Sequence, residues 1–283
     1  MSTTTTITAA EINKLRQVTG AGMMDCRKAL VESDGDFEKA IDYLRKKGQK
    51  VAALRSDREA KEGVIIAKTT DDHKTGLIIT LACETDFVAK NAEFVAFAQS
   101  IMQVAVKNQV KTLDELQSSK LDNVTVADKI NDQVAKIGEK IQLTRFERID
   151  AEGVSSYIHG SYRMGVLVGL NKNSASALEA GREVAMQIAA MNPVAVDQDA
   201  VSPEMIEREK AIVTDQIRND PKMAGKPNEM IEKIALGKLN AFFKENTLTA
   251  QAFVKDPAKT VAEHLKSVDP GLKVIQFKRV QLG

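Results

Sequence analysis

The chain has 283 residues, with 40 Lys and Arg against 39 Asp and Glu, three His, two Cys and no Trp. A 43% apolar, 28% charged composition is that of a globular protein rather than a disordered one, and the length suits about two domains with their own cores. A net charge of +1 excludes a protein held to nucleic acid by its overall field, two Cys exclude a cysteine-rich zinc site or disulfide framework and fit a reducing cytosol, and no apolar run approaches the roughly 20 residues that span a membrane.

The N-terminal MSTTTTITAAE lacks a basic or apolar leader and reads as a short frayed tail, not a secretory signal. Thr8 then stands as an N-cap with Glu11 in capping-box position, and Ile12, Leu15 and Val18 recur at helical spacing. The Thr19 to Gly22 stretch, TGAG, stops that helix. A second helix is expected over about Asp25 to Glu32, broken by Asp34-Gly35. A third carries Phe37, Ala40, Ile41 and Leu44 on one stripe and is expected to end at Gly48, where a C-terminal glycine is favoured. Together these predict a minimal three-helix bundle. From Arg45 to Lys61 there are seven basic residues against Asp57 and Glu59. A solvated helical linker and a ribosome or RNA contact both fit, and the absence of an interleaved aromatic for base stacking favours the linker.

The middle of the chain contains a weak internal repeat. One copy opens at Glu62-Gly-Val and the other at Glu152-Gly-Val. Each continues through a turn into an apolar strand after Gly76 or Gly165, then an Ala-rich helix around Phe97, Ala98 and Ile101 or Val184, Ala185 and Ile188. The unit reads as a β-hairpin followed by a helix, used twice. Between the copies, Val126, Ile130, Val134 and Ile137 form a helical stripe and Ile141 to Ile149 a strand. Leu272 to Leu282 is the expected partner strand of the second unit. An insertion begins at Ser202-Pro203, an N-cap followed by proline at the first helical position. Ile206, Val213 and Ile217 share a side, Pro221, Gly225 and Pro227 make a loop, and Met230, Ile231, Ile234 and Ala235 start a return helix. The seam is thin, which leaves a homodimer open. The predicted organisation is α+β: a three-helix domain and linker over residues 1–55, a first core subdomain over 56–150, a second over 151–200 and 241–283, and an inserted antiparallel hairpin over 201–240, with antiparallel sheets in both subdomains.

Catalytic signatures are weak. GAGMMD at 20–25 has Asp25 where a dinucleotide loop needs its third glycine, and a helix precedes it. There is no P-loop, GxSxG, HExxH or CxxC, and His73, His159 and His264 occupy different local settings. Cys83 with His159 as nucleophile and base is a poorer reading than a thiol buried at a strand end. Two features resist a purely structural reading. Met23 and Met24 are adjacent on a tight loop, where one packs inside and the other faces a partner. Thr85-Asp86-Phe87-Val88 ends an apolar strand, and Thr85 can cap the next helix. Phe87, Phe94 and Ile101 share a spacing of seven, so Phe87 reads either as core on one long helix or as a partner contact. The second repeat has no aromatic there, only Asn171 to Ala175.

TGAGMMDCRKAL at 19–30, CETDFVAKN at 83–91 and AKIGEKIQLTR at 135–145 together resemble the bacterial elongation factor Ts family. So do His159-Gly160, the GVLVGL run at 165–170 and PAKTV at 257–261, in the same order along nearly the whole chain. The resemblance implies an N-terminal domain of ubiquitin-associated type, two related α+β subdomains and a protruding coiled coil. It implies guanine nucleotide exchange on elongation factor Tu, bound both with GDP and nucleotide-free, during translation in the cytoplasm, and no enzyme, cofactor or metal of its own. Thr85, Asp86, Phe87 and Val88 match the motif that disturbs the GTPase's magnesium site, with Phe87 the wedging aromatic. Arg16, Met23 and Met24 match residues that meet the nucleotide domain, and His159 lies in the subdomain that meets the other domains. Some members carry a further helical module after the final strand; this chain stops at Gly283. No direct nucleic-acid or membrane partner is expected. A ribosome- or protein-binding adaptor without exchange activity is the competing reading, and a small-molecule enzyme a distant third.

Overall fold

The computed structural model describes residues 7–220 and 227–283. Three helices come first: α1 (Ala9–Thr19), α2 (Met23–Glu32) and α3 (Phe37–Leu54). Thr8 and Glu11 form the expected capping box, and Gly20 closes α1 with φ +68°, a conformation that costs glycine little. Asp34 and Gly35, both with positive φ, turn the chain into α3. Leu15, Cys26, Ala29, Leu30, Ala40 and Leu44 make the small core. Two expectations fail here. Val18 is 62% exposed, so the α1 stripe ends at Leu15. Gly48 does not stop α3, which continues to Leu54. A Cβ on Gly48 would stand 3.1 Å from the Asn131 carbonyl oxygen and 3.3 Å from Ala135 Cβ, so this glycine serves close helix approach rather than a cap.

The central region is α+β. Its first part holds β1 (Glu62–Thr69), β2 (Thr75–Cys83), α4 (Asp86–Ala89), α5 (Ala92–Lys107), α6 (Leu113–Ser118), β3 (Lys120–Leu121), β4 (Val124–Thr125), α7 (Val126–Ile137) and β5 (Gln142–Asp150). Its second holds β6 (Gly153–His159), β7 (Met164–Leu170), α8 (Ala175–Met191), α9 (Pro203–Arg218), α10 (Asn228–Asn246), β8 (Ala252–Phe253), β9 (Asp256–Thr260), α11 (Val261–Val268) and β10 (Val274–Gln281). Both principal sheets are antiparallel and three-stranded, in the orders β1-β2-β5 and β10-β7-β6. The sequence repeat is thus a structural one.

Alternation along the strands explains why their sequences read as unbroken apolar runs. Val64, Ile66, Leu77 and Ile79 point to one face, where they pack with Phe94, Ile101, Ile130 and Val134 of the covering helices. Ile65, Ala67 and Ile78 point to the other, where they meet Val154, Leu167 and Val280 of the second sheet. The sheets therefore stack face to face with helices outside. A Cβ on Gly76 would fall 2.6 Å from Val154 Cγ1, and one on Gly165 2.7 Å from Ile65 Cγ2, so glycine lets the sheets approach. Each hairpin turn also bonds the opposite sheet: the Tyr162 carbonyl accepts from Ile65 N at 2.8 Å, and the His73 carbonyl from Val154 N at 2.6 Å.

In the insertion, Ser202 caps α9 with Pro203 in its first turn. Met205 and Ile206 near the start of α9 pack with Leu239 and Phe243 of α10, while Val213 and Ile217 pack with Ile231, Ile234 and Ala235. That pairing makes α9 and α10 antiparallel. Met230 is 44% exposed and outside the seam. Of the expected loop, Pro221 and Gly225 lie outside the described residues; Pro227 precedes α10. No helix among the described residues is long and apolar enough to cross a membrane.

Candidate functional site

The segment after β2 is fixed from below and bare on top. The buried Cys83 thiol donates to the Thr85 carbonyl at 3.2 Å. Burial, reinforced by the nearby Glu139 carboxylate, pushes that thiol's pKa up to about 12. Thr85 Oγ1 accepts from Val88 N at 3.4 Å and caps α4, a helix of only four residues. Asn91 then caps α5, accepting from the Glu93 and Phe94 amides at 2.8 and 3.4 Å. The chain therefore breaks between Phe87 and Phe94, and the single long helix that would have made Phe87 core does not form. Phe94 and Ile101 are buried, whereas Phe87 is 83% exposed. Val88 and Ala89 turn the opposite way, onto the first core.

Asp86 accepts from Lys90 Nζ at 2.6 Å, which holds its carboxyl below the ordinary aspartate range. Both side chains are well exposed, so the pair contributes little stability. The sequence reading missed what lies underneath. One Glu139 oxygen accepts from the Glu84 and Thr85 amides at 3.1 and 3.0 Å, and the other from the Thr85 hydroxyl at 2.7 Å. Glu84 in turn accepts from Lys140 N at 2.6 Å and from Arg58 at 3.1 Å, with Arg55 at 3.7 Å. The Lys140 amide, more than the Arg58 guanidinium, holds the Glu84 carboxyl low. Lys140 Nζ donates to the Ser56 and Arg58 carbonyls at 2.6 and 2.8 Å. The only signal for this network was the AKIGEKIQLTR stretch, where an acid and a base follow the helix-ending Gly138.

The remaining candidates stand apart. Met23 and Met24 occupy the first turn of α2, not a loop, and are 52% and 71% exposed. Neither packs inside, because Cys26, Ala29 and Leu30 fill the helix's inner face. Arg16, in the last turn of α1 and seven positions before Met23, is also exposed. His159 ends β6, exposed, with Nδ1 2.9 Å from the Tyr157 hydroxyl. Its turn reaches α5 through Gln99 Nε2 and the Tyr162 hydroxyl, 3.4 Å apart. Cys83 and His159 have separate hydrogen-bond partners. The basic stretch divides: Lys47 pairs with Asp25 and Lys61 with Glu59, while Arg55 and Arg58 face Glu84. Among the described residues no cluster of His, Cys, Asp and Glu could hold a metal ion.

Residues 84–283 match the family model for Elongation factor TS. The chain is 49% identical over 277 residues to Elongation factor Ts of Christiangramia forsetii, spanning 98% of this chain and 99% of that one. It is 50% identical over 280 residues to the Cytophaga hutchinsonii protein of the same name, and 43% identical over 279 residues to that of Alkalilimnicola ehrlichii. The chain belongs to the elongation factor Ts family. The family model begins at Glu84, the first residue of the clamped turn, and the full-length relatives extend the likeness across the three N-terminal helices.

Within an elongation factor Ts frame, the second repeat shows what is special about the first. After β7, Asn171 donates to the Gly271 carbonyl and accepts from Lys273 N, and Ser174 directly caps α8. No counterpart of α4 intervenes. Both cysteines are buried, and burial raises the Cys26 pKa as well. Neither thiol is expected to react with an aromatic disulfide reagent at pH 8 in the folded protein, and both should react in guanidinium. Prompt labelling of the native protein would contradict the described packing.

Proposed function

We propose that the chain is the guanine nucleotide exchange factor for elongation factor Tu, accelerating GDP and Mg²⁺ release in the cytoplasm during translation elongation. The observation that carries this reading is a bare phenylalanine, Phe87, 83% exposed on a turn whose backbone is held from below. Exchange makes and breaks no covalent bond. GDP is held by backbone amides around its phosphates and by Mg²⁺. A factor that binds the nucleotide-free GTPase more tightly than the GDP form weakens GDP by the same ratio.

Phe87 supplies such a difference if its pocket opens only as the nucleotide site loosens. Burying a phenylalanine is worth about 1.5–3 kcal/mol, and several contacts of that size reach the roughly 5.5 kcal/mol that inverts a 1:99 population. Asp86, beside it, acts on the magnesium water shell or the switch elements, while Thr85 and Val88 anchor the turn. Arg16, Met23 and Met24 dock the N-terminal domain on the nucleotide domain, and His159 meets the GTPase's other domains. The three groups stand on separate elements, which suits a partner grasped at several places. The hairpin and the domain limits given above complete the organisation.

The test is release of labelled GDP from purified elongation factor Tu by the intact protein: acceleration supports exchange, and an unchanged rate refutes it. Met24→Ala is expected to raise the half-saturating concentration about three- to tenfold, from partial loss of an apolar contact, without lowering thermal stability. An unchanged half-saturation would remove Met24 from the interface. Against the adaptor alternative, Arg55 and Arg58 of the basic stretch pair with Glu84.

A further inference from the structure

We infer that Glu139 is a positioning residue for the exchange motif, setting where the Phe87 ring stands without touching the GTPase itself. The inference rests on the exchange reading and adds a residue to it. Phe87 is too exposed for its own packing to fix it. Its orientation follows that of α4, and a helix of four residues has no intrinsic stability. Something outside the helix must hold it.

Glu139 meets that need. Its two oxygens take three hydrogen bonds, from both amides entering the turn and from the capping hydroxyl. Hydrogen bonds to an ionised acceptor are about twice as strong as neutral ones. With these three partners the carboxylate is engaged by its own chain rather than offered to another protein. The residue that carries it is itself anchored. Gly138, with φ +83°, ends α7, and α7 packs against α3 at Gly48. Lys140, next in sequence, donates its amide to Glu84 and its ammonium to the carbonyls of Ser56 and Arg58. The turn that carries Phe87 is thereby tied to the end of α7 and to the segment leaving α3. Part of the basic stretch is a strut between the N-terminal helices and the motif.

The test compares Glu139→Ala and Glu139→Gln in the intact protein, measuring labelled-GDP release from elongation factor Tu across a concentration series. A displacement of about 1 Å at a working group costs up to about a hundredfold in rate. Glu139→Ala is expected to lower the maximal release rate at least tenfold while moving the half-saturating concentration less than twofold, since the N-terminal contacts are untouched. Glu139→Gln keeps the reach and an acceptor and is expected to recover to within about threefold of the parent. Should the alanine variant not fold, Glu139→Asp replaces it, keeping the charge but falling one methylene short, with the same expected loss.

A Glu139→Ala variant, or the Glu139→Asp variant that replaces it, that releases GDP at the parent rate or shifts half-saturation as much as maximal rate overturns the inference, as does a Glu139→Gln variant that loses as much as the alanine one. The Thr85 amide proton resonance is read in parallel. It is expected to move upfield in Glu139→Ala and stay near its place in Glu139→Gln, and no movement in Glu139→Ala overturns the clamp. If the parent protein itself fails to accelerate release, the exchange reading falls, and the amide resonance still decides whether Glu139 holds the turn.

Discussion

Replacing Phe87 with alanine is expected to lower stimulated GDP release from elongation factor Tu about ten- to a hundredfold while leaving the protein folded. The magnitude follows from burial of one phenylalanine in a partner, about 1.5–3 kcal/mol, counted only in the state where the nucleotide is loose. The intact fold follows from position. Phe87 is 83% exposed and outside the core that Val88 and Ala89 join, so its loss removes almost no internal contact. Stopped-flow release of labelled GDP, with a thermal melt of the same preparation, checks both halves. An unchanged rate removes the wedge from the mechanism, and an unfolded variant shows that the ring has a structural duty.

Leu167→Ala is expected to do the reverse. Leu167 is fully buried on β7 and packs between the two sheets with Val154, Ile78 and Ile149. Truncating a leucine in such a place costs about 2–5 kcal/mol, from lost transfer free energy and the cavity left behind. A Cβ on Gly76, on β2 of the facing sheet, would stand 2.9 Å from Leu167 Cδ2, so the site is tightly filled. The midpoint of guanidinium unfolding should fall accordingly, while exchange per folded molecule at low temperature stays near the parent value, because the clamped turn lies at the far end of β2 from Gly76. A midpoint within error of the parent would mean that the two sheets do not share a core. Together the two variants separate the surface that acts from the interior that supports it.

Much of the architecture was readable from residues alone, for identifiable reasons. Strands buried on both faces leave unbroken apolar runs, so Gly76-Leu-Ile-Ile and Gly165-Val-Leu-Val announced the paired hairpins. Thr8 with Glu11, Ser202 with Pro203 and Asp34 with Gly35 mark helix ends by local chemistry and needed no tertiary knowledge. The failures are matters of packing, with one local cap among them. Gly48 has the look of a stop signal, but its reason is Asn131 on another helix. The spacing of seven from Phe87 through Phe94 to Ile101 imitated a helical stripe until Asn91 was seen to cap a new helix. Met23 and Met24 were expected to share one core position between them, and the small core closes on Cys26, Ala29 and Leu30 without either.

The candidate site was legible in part. Thr85 to Val88 stood out because the second repeat lacks them, and the structure places that motif on an extra turn found in one copy only. Glu139 was not legible as part of it. Its partners lie 54 and 55 positions away, and a carboxylate accepting backbone amides leaves no pattern in a single sequence.

The central claim is differential binding, and calorimetry tests it most directly. Titrating the intact protein into nucleotide-free elongation factor Tu and into its GDP complex, at matched salt and magnesium, gives two dissociation constants. The nucleotide-free form is expected to bind at least about a hundredfold more tightly, a difference of roughly 2.7 kcal/mol. Equal constants would mean that nothing in this chain favours loss of GDP, and would contradict differential binding as the basis of exchange.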